Sequence, residues 1–201
     1  MNFQLRELDR NTWFDLVKLF EQNRMTSQCF CLSHRVTPQD LVIEKEAHDV
    51  MKEWVCPAPK LRAIRPGETG ALNEQKRVHG ILLYDDGSPV GWISVDPLAN
   101  LPGHDAHIEA RENEWSIHCV YLLPGYRKKA LSQQLIRGAM ELAKNNGATI
   151  ITAFPCPAEN EAGQPESLMF GGRMNTFLEL GFTPNHKLSD LYFRVEYKFS
   201  L

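Results

Sequence analysis

A mixed α/β sheet with helices on both faces is the fold predicted for this 201-residue chain. Residues 79–97 carry a hairpin signal, two apolar runs joined at Asp86-Gly87. A strand at 115–123 passes through a tight turn into an amphipathic helix. A short apolar run, 148–154, follows that helix and so pairs parallel to the earlier strand. Antiparallel hairpin, parallel crossover and amphipathic helices together specify one layered α/β domain.

The elements are expected in the order β-α-α-β-β-β-α-β-α-β. Phe3 to Leu8 alternates as a first strand. Asn11 or Thr12 can cap a helix near 12–22, with Trp13, Leu16, Val17 and Phe20 at helical spacing. Leu41, Val42, Ala47, Val50, Met51 and Trp54 predict a second helix within 38–55. Pro57, Pro59, Pro66 and Gly67 then open a loop running to about Gly70. The hairpin follows, with Gly80–Tyr84 and Val90–Val95 as its arms, and residues 98–113 form a polar loop. Trp115–Leu123 is a strand rich in aromatic and aliphatic residues that stops at Pro124-Gly125. Leu131, Leu135, Ala139, Leu142 and Ala143 mark the helix after it, and Gly147 its end. A Pro- and Gly-containing loop (155–171), a short helix (174–180) and a last strand (191–199) complete the chain. The domain reads as 1–201, with 1–78 as the N-terminal strand, helices and acceptor-side loop, and 79–201 as the core.

Composition narrows the function. The net charge is −3, and the only basic cluster is Arg127-Lys128-Lys129, which suits one small anion and not a nucleic-acid backbone. The N-terminus carries no signal-peptide apolar region, and no run of about 18 apolar residues is present for a membrane span. A cytoplasmic protein is expected. Five cysteines at irregular spacing argue against a disulfide framework. Cys29, Cys31 and His34 admit a metal-clip reading, but not the pairs and four ligands of a structural zinc site. No metal is expected.

The chemistry is expected at 115–146. A strand that turns tightly into a helix aims free backbone N–H groups at one point, where the helix N-terminus adds about half a positive charge. With Arg127, Lys128 and Lys129 around it, the turn is either a pyrophosphate cradle or a solvated basic turn. Strand alternation places Glu114, Ser116, His118, Val120 and Leu122 on one face and Cys119 on the other.

The stretch VYLLPGYRKKALSQQLI resembles the strand–turn–helix signature of GNAT acetyltransferases, with Val120, Leu122, Pro124, Tyr126 and Arg127 in register. Ala130 and Ser132 stand where that family usually has glycines. Ser88-Pro89-Val90-Gly91-Trp92 is similar to the family's second and third strands, and Phe177–Phe182 to its late helix, which commonly ends Tyr-x-x-x-Gly-Phe. Together with Cys29–Arg35, Trp115-Ser116 and Ala153-Phe154-Pro155, these features resemble a bacterial GNAT subgroup of uncharacterised substrate bearing a Cys-x-Cys-like segment.

The resemblance implies acetyl-coenzyme A as co-substrate. The pantetheine arm would lie along Val120, Tyr121 and Leu122, and the diphosphate on the N–H groups of Arg127, Lys128, Lys129, Ala130, Leu131 and Ser132. A small-molecule or peptide amine would attack the thioester directly, with a backbone N–H near Val120 stabilising the oxyanion. The family's usual carboxylate base falls near Ser116, which is no base. Its same-face neighbours His118 and Glu114 are the alternatives, and His118 is favoured, acting through water if needed. A histidine satisfied within the sheet is the competing reading of His118. The family's tyrosine acid falls at Phe177, which cannot donate a proton, so a silent acyl-CoA-binding module is the alternative function. The final strand offers an edge that permits a homodimer.

Overall fold

The structure is a computed structural model that describes residues 2–37, 46–57, 77–103, 109–156, 170–188 and 193–200. Its elements are β1 (Phe3–Glu7), α1 (Trp13–Phe20), α2 (Arg24–Cys29), α3 (Ala47–Val55), β2 (Gly80–Asp85), β3 (Ser88–Pro97), β4 (Glu114–Leu122), α4 (Leu131–Asn145), β5 (Ile150–Ala153), α5 (Met174–Glu179), β6 (Thr183–Lys187) and β7 (Phe193–Lys198). One seven-stranded sheet has the order β1-β2-β3-β4-β5-β7-β6. Every pairing is antiparallel except β4 with β5, where helix α4 makes the crossover. The expected mixed sheet is therefore present, and the hairpin turns at Asp86 and Gly87, both at positive φ.

Apolar side chains cover both faces. On one, Ile93, Val95, Ile117 and Ile151 meet Leu135 and Ala139 of α4 and Phe177 of α5. On the other, Leu82, Trp92 and Tyr121 meet Trp13, Leu16 and Phe20 of α1, Phe30 just after α2, and Met51 of α3. Each fully buried large side chain contributes about 1.5–3 kcal/mol. The expected helix at 12–22 is α1, and α3 falls within the expected 38–55, whose residues 38–45 lie outside the described residues. Most of the loops at 57–70 and 155–171, and residues 104–108 of the 98–113 loop, lie outside them too.

Two elements were not anticipated. Asn23 caps α2, its side chain accepting the N–H groups of Met25 and Thr26. Strand β6 is exposed along its length and contains Pro184, so it lacks an apolar face to announce it. It also corrects the expected sheet edge: β7 lies between β5 and β6, and β6 is the outer strand.

The feature that shapes the site is a bulge in β4. Ser94 faces Cys119, but the next residue of β3, Val95, faces Ile117, leaving His118 as the extra residue. The bulge resets the alternation. Val120 packs with Leu122 on the α4 side, whereas Cys119 and Tyr121 join the α1 side. The expected single face of Glu114, Ser116, His118, Val120 and Leu122 is thereby corrected, as is the placing of Cys119 opposite His118.

Candidate active site

The turn after β4 begins as a short 3₁₀ turn, Pro124–Tyr126, and enters α4 through Lys128 (φ 60°) and Ala130 (φ 56°). These left-handed residues tighten the turn, and Ala130 caps α4 without a side-chain acceptor. No acidic residue lies in the first helical turn. The N-terminus of α4 is thus left suited to an external anion. A cavity of ≈ 390 Å³ opens there, lined among others by Val120, Tyr121, Leu122, Arg127, Lys128, Ala130, Leu131 and Ser132. Lys129 does not line it; its ammonium lies 5.3 Å from the centre of the Tyr126 ring. Arg127 turns inward, its Nε donating to the Leu122 carbonyl at 3.1 Å.

The other wall of the cavity comes from the segment after the 155–171 loop. Phe170, Gly172 and Arg173 line it, with Thr176 and Glu179 of α5. β4 pairs with β5 only from Glu114 to Ile117. Beyond that point the Val120 N–H, the expected oxyanion donor, donates to the Phe170 carbonyl at 2.7 Å. Gly171 lies so close to the Phe154 carbonyl that an added Cβ would stand 2.4 Å from its oxygen. Phe177 is fully buried in the α4-side core, 5.1 Å from Phe182 between ring centres.

On the opposite face of the bulge lies a buried polar cluster. Arg35, 4% exposed, places Nη2 2.6 Å from Asp96 Oδ2 and donates to Ser94 Oγ at 2.7 Å. Ser94 Oγ lies 2.9 Å from His118 Nε2, and His118 Nδ1 lies 3.4 Å from the Ser116 carbonyl. Asp96 also accepts from the His79 backbone N–H at 3.0 Å. The His34 ring meets that of His118 edge-on at 5.3 Å. Burial first, then the Arg35 charge, lowers the His34 pKa to about 4. Cys31 and Cys119 share a thiol hydrogen bond. That bond, helped by Arg35 against the pull of burial, lowers Cys31, and the same bond and burial raise Cys119.

The expected acid–base residues are thus separated by environment. His118 is in the cluster at the bulge. Ser116 is fully buried, and its hydroxyl has no hydrogen-bond partner among the described residues. Glu114, at the start of β4, is bound by Arg111 at 3.0 Å and by Arg194. Burial pushes its carboxyl up, but hydrogen bonds from Arg111 and Arg194 outweigh it and hold the pKa below its ordinary value. Glu114 is a structural ion pair, distant in register from the bulge. Cys29 is exposed and near Ser33, Cys31 faces Cys119, and the His34 ring meets that of His118. No group of three or more His, Cys, Asp or Glu side chains suited to a metal occurs among the described residues.

Sequence reasoning did not single out Ser94, Asp96 or Arg35. A signal was present for two of them: Ser94 and Asp96 alternate with Ile93 and Val95 where an apolar strand has no ordinary use for polar residues. Nothing local marks Arg35 as buried.

The model of the acetyltransferase (GNAT) family matches residues 47–165. No curated protein matches the chain. Among solved structures, the chain is similar to the PaiA N-acetyltransferase of Thermoplasma acidophilum in complex with coenzyme A. That likeness has a TM-score of 0.55 at 13% identity and covers 99% of this chain and 100% of the other. YncA of Salmonella typhimurium, with acetyl-CoA, is similar at a TM-score of 0.56 and 12% identity, over 100% of this chain and 96% of that one. The GNAT domain of the Streptomyces lividans protein PAT gives 0.55 at 15% identity, over 98% and 90%. At these identities the structures speak for the fold, and the family model, covering more than half of the residues, places the chain in the GNAT acetyltransferase family.

Proposed function

We propose that the protein transfers an acetyl group from acetyl-CoA to an amine of a small molecule or peptide by direct attack. The cavity at the β4–α4 turn carries this reading, because it joins an uncapped helix N-terminus to the cations Arg127 and Lys128. The diphosphate sits on that turn, and the pantetheine lies along Val120–Leu122. There the thioester carbonyl takes the Val120 N–H now held by the Phe170 carbonyl. The solved relatives bound to coenzyme A and acetyl-CoA favour the same ligand.

The acceptor nitrogen must lose a proton as it bonds to the thioester carbon. His118 takes that proton, being the titratable side chain held at the bulge, while Glu114 is committed to two arginines. The oxyanion forms near the Val120 N–H, a type of donor worth about 3–4 kcal/mol in acyl transfer. Phe177 supplies no acid, so the coenzyme leaves as thiolate and is protonated afterwards. The irregular cysteines favour a reducing compartment, hence the cytoplasm.

A second reading, a silent acyl-CoA-binding module, is favoured by the buried Phe177 and the occupied Val120 N–H. Calorimetric titration of acetyl-CoA tests both, with the Arg127→Ala, Lys128→Ala double variant as control. Micromolar binding weakened about ten-fold or more in the control is expected, since each charged contact is worth about 1 kcal/mol or more. Absence of binding sinks both readings. Thiol release with spermidine, an aminoglycoside, or peptides bearing a free N-terminus or a lysine separates catalysis from mere binding.

A further inference from the structure

The residues Phe170, Gly171 and Gly172 stand where β4 and β5 part, and they are held to both sides of the opening. The Phe170 carbonyl accepts the Val120 N–H of β4 at 2.7 Å. Beyond the end of β5, the Cys156 N–H donates to the Gly172 carbonyl at 3.2 Å, and the Met174 N–H donates to the Cys156 carbonyl at 3.1 Å. The chain changes face as it passes. The Phe170 side chain packs on the α1-side core, its ring centre 6.2 Å from that of Tyr121. Gly172, at φ 86°, is on the α4 side, where an added Cβ would stand 2.8 Å from the Phe177 ring and 3.6 Å from Val120 Cγ2. Only a residue without a side chain takes this path at no cost. Phe170 and Gly172 line the cavity together with Val120, Tyr121 and Leu122, so a ligand in the cavity meets them directly.

We propose that Phe170–Gly172 is a strap that competes with the pantetheine arm for the strip along Val120–Leu122, and that the Phe170 side chain is its latch. The inference rests on the acetyl-CoA reading and adds to it a built-in competitor. Val120 has one N–H to give, so it cannot serve the strap and the thioester at once.

The energetics identify the latch. When the thioester carbonyl replaces the Phe170 carbonyl, Val120 keeps one bond, and the released carbonyl turns to water. The hydrogen bonds therefore nearly cancel. The apolar contact of Phe170 with the α1-side core does not cancel, because lifting the strap gives it up. The Phe170 side chain thus sets the fraction of protein that is open, and the apparent Kd for the coenzyme is the intrinsic Kd divided by that fraction. A nucleotide without the pantetheine arm, held by its phosphates at the N-terminus of α4, makes no demand on Val120 and leaves the strap seated.

The first test needs no variant. Deuterated protein is labelled at the valine nitrogens and the phenylalanine carbonyl carbons, and the scalar coupling across the Val120–Phe170 hydrogen bond is measured by NMR. The chain contains no Phe-Val peptide bond, so a cross-peak between the two labels arises across a hydrogen bond. The coupling is expected in the free protein, is expected to persist with the nucleotide half of coenzyme A (phospho-ADP without the pantetheine arm), and is expected to vanish with saturating acetyl-CoA. The second test is calorimetry on Phe170→Ala. Acetyl-CoA should bind about three-fold or more tighter than to wild type, and the bare nucleotide should bind equally to both. Acetyl-CoA that binds with the coupling intact overturns the strap alone, as does a free protein without the coupling. Unchanged or weaker acetyl-CoA binding by Phe170→Ala overturns the latch. Wild-type protein that binds neither acetyl-CoA nor the nucleotide overturns the coenzyme reading, and the strap's role falls with it.

Discussion

At the scale of single residues, Ala130 carries the most informative strain. A left-handed non-glycine residue costs about 1–2 kcal/mol, and a glycine at φ 56° does not bear that cost. Part of the gain is lost to the freer unfolded chain of the glycine variant. Ala130→Gly is therefore expected to raise stability by up to ~1 kcal/mol, with acetyl-CoA affinity equal or higher, read by denaturant unfolding and calorimetry. The sequence already marked this position as a departure from the family's glycines; that it is left-handed emerges only from the turn. Glu114 behaves differently. Its folded pKa lies below the ordinary carboxylate value, so its contribution is present above about pH 4.5 and is lost as pH falls through the folded value. Glu114→Gln should destabilise the protein at pH 7 by roughly 1–3 kcal/mol, and the deficit should shrink as unfolding is repeated toward pH 3.

At the scale of elements, the β3–β4–α4 run was legible because each signal is local: an Asp-Gly turn, an apolar run, and a stop at Pro124. The bulge was not legible. Its sequence, Ser-Ile-His-Cys-Val, alternates in no way that marks the extra residue, and only the partner strand's register exposes it. Hence His118 could be placed on the strand but not beside Ser94. Strand β6 escaped for the opposite reason, since its polar residues and Pro184 pair at an exposed edge without burying a face. Arg35 depends on contacts some 60 residues away in sequence, as the separation of 59 to Ser94 indicates. Gly103 offers a way to perturb that contact from outside the cluster. A Cβ there would lie 2.0 Å from the Ser33 carbonyl, so Gly103→Ala must push the 33–36 turn away. An overpacking cost of about 1–3 kcal/mol lowers the Tm by roughly 2–4 °C per kcal/mol in a chain of this size, as differential scanning fluorimetry would record.

At the scale of the whole molecule, two cores share one sheet, one under α4 and α5 and the other under α1, α2 and α3. The order of the elements announced a sheet covered on both faces, but not that a buried polar cluster would sit on one of them. That cluster sets an acid response. His34 titrates near 6.5 when unfolded and at about 4 when folded, so between these values the unfolded chain binds the extra proton. Stability should therefore fall as pH drops from 6.5 to 4, by at most about 1.4 kcal/mol per pH unit. Below that window the loss continues as Glu114 and Glu196, both held low by arginine contacts, take up protons. Urea midpoints between pH 7 and pH 4 check the first stage, and His34→Gln should flatten it.

The bond from Val120 N–H to the Phe170 carbonyl has a consequence for life before any ligand arrives. Where β4 parts from β5, a strand in the middle of the sheet would otherwise present unpaired backbone, a template onto which a foreign chain can zip. Gly171, lacking a side chain, lets the protein's own backbone sit in that opening. The chain's own backbone thus closes this stretch of edge against other copies of itself.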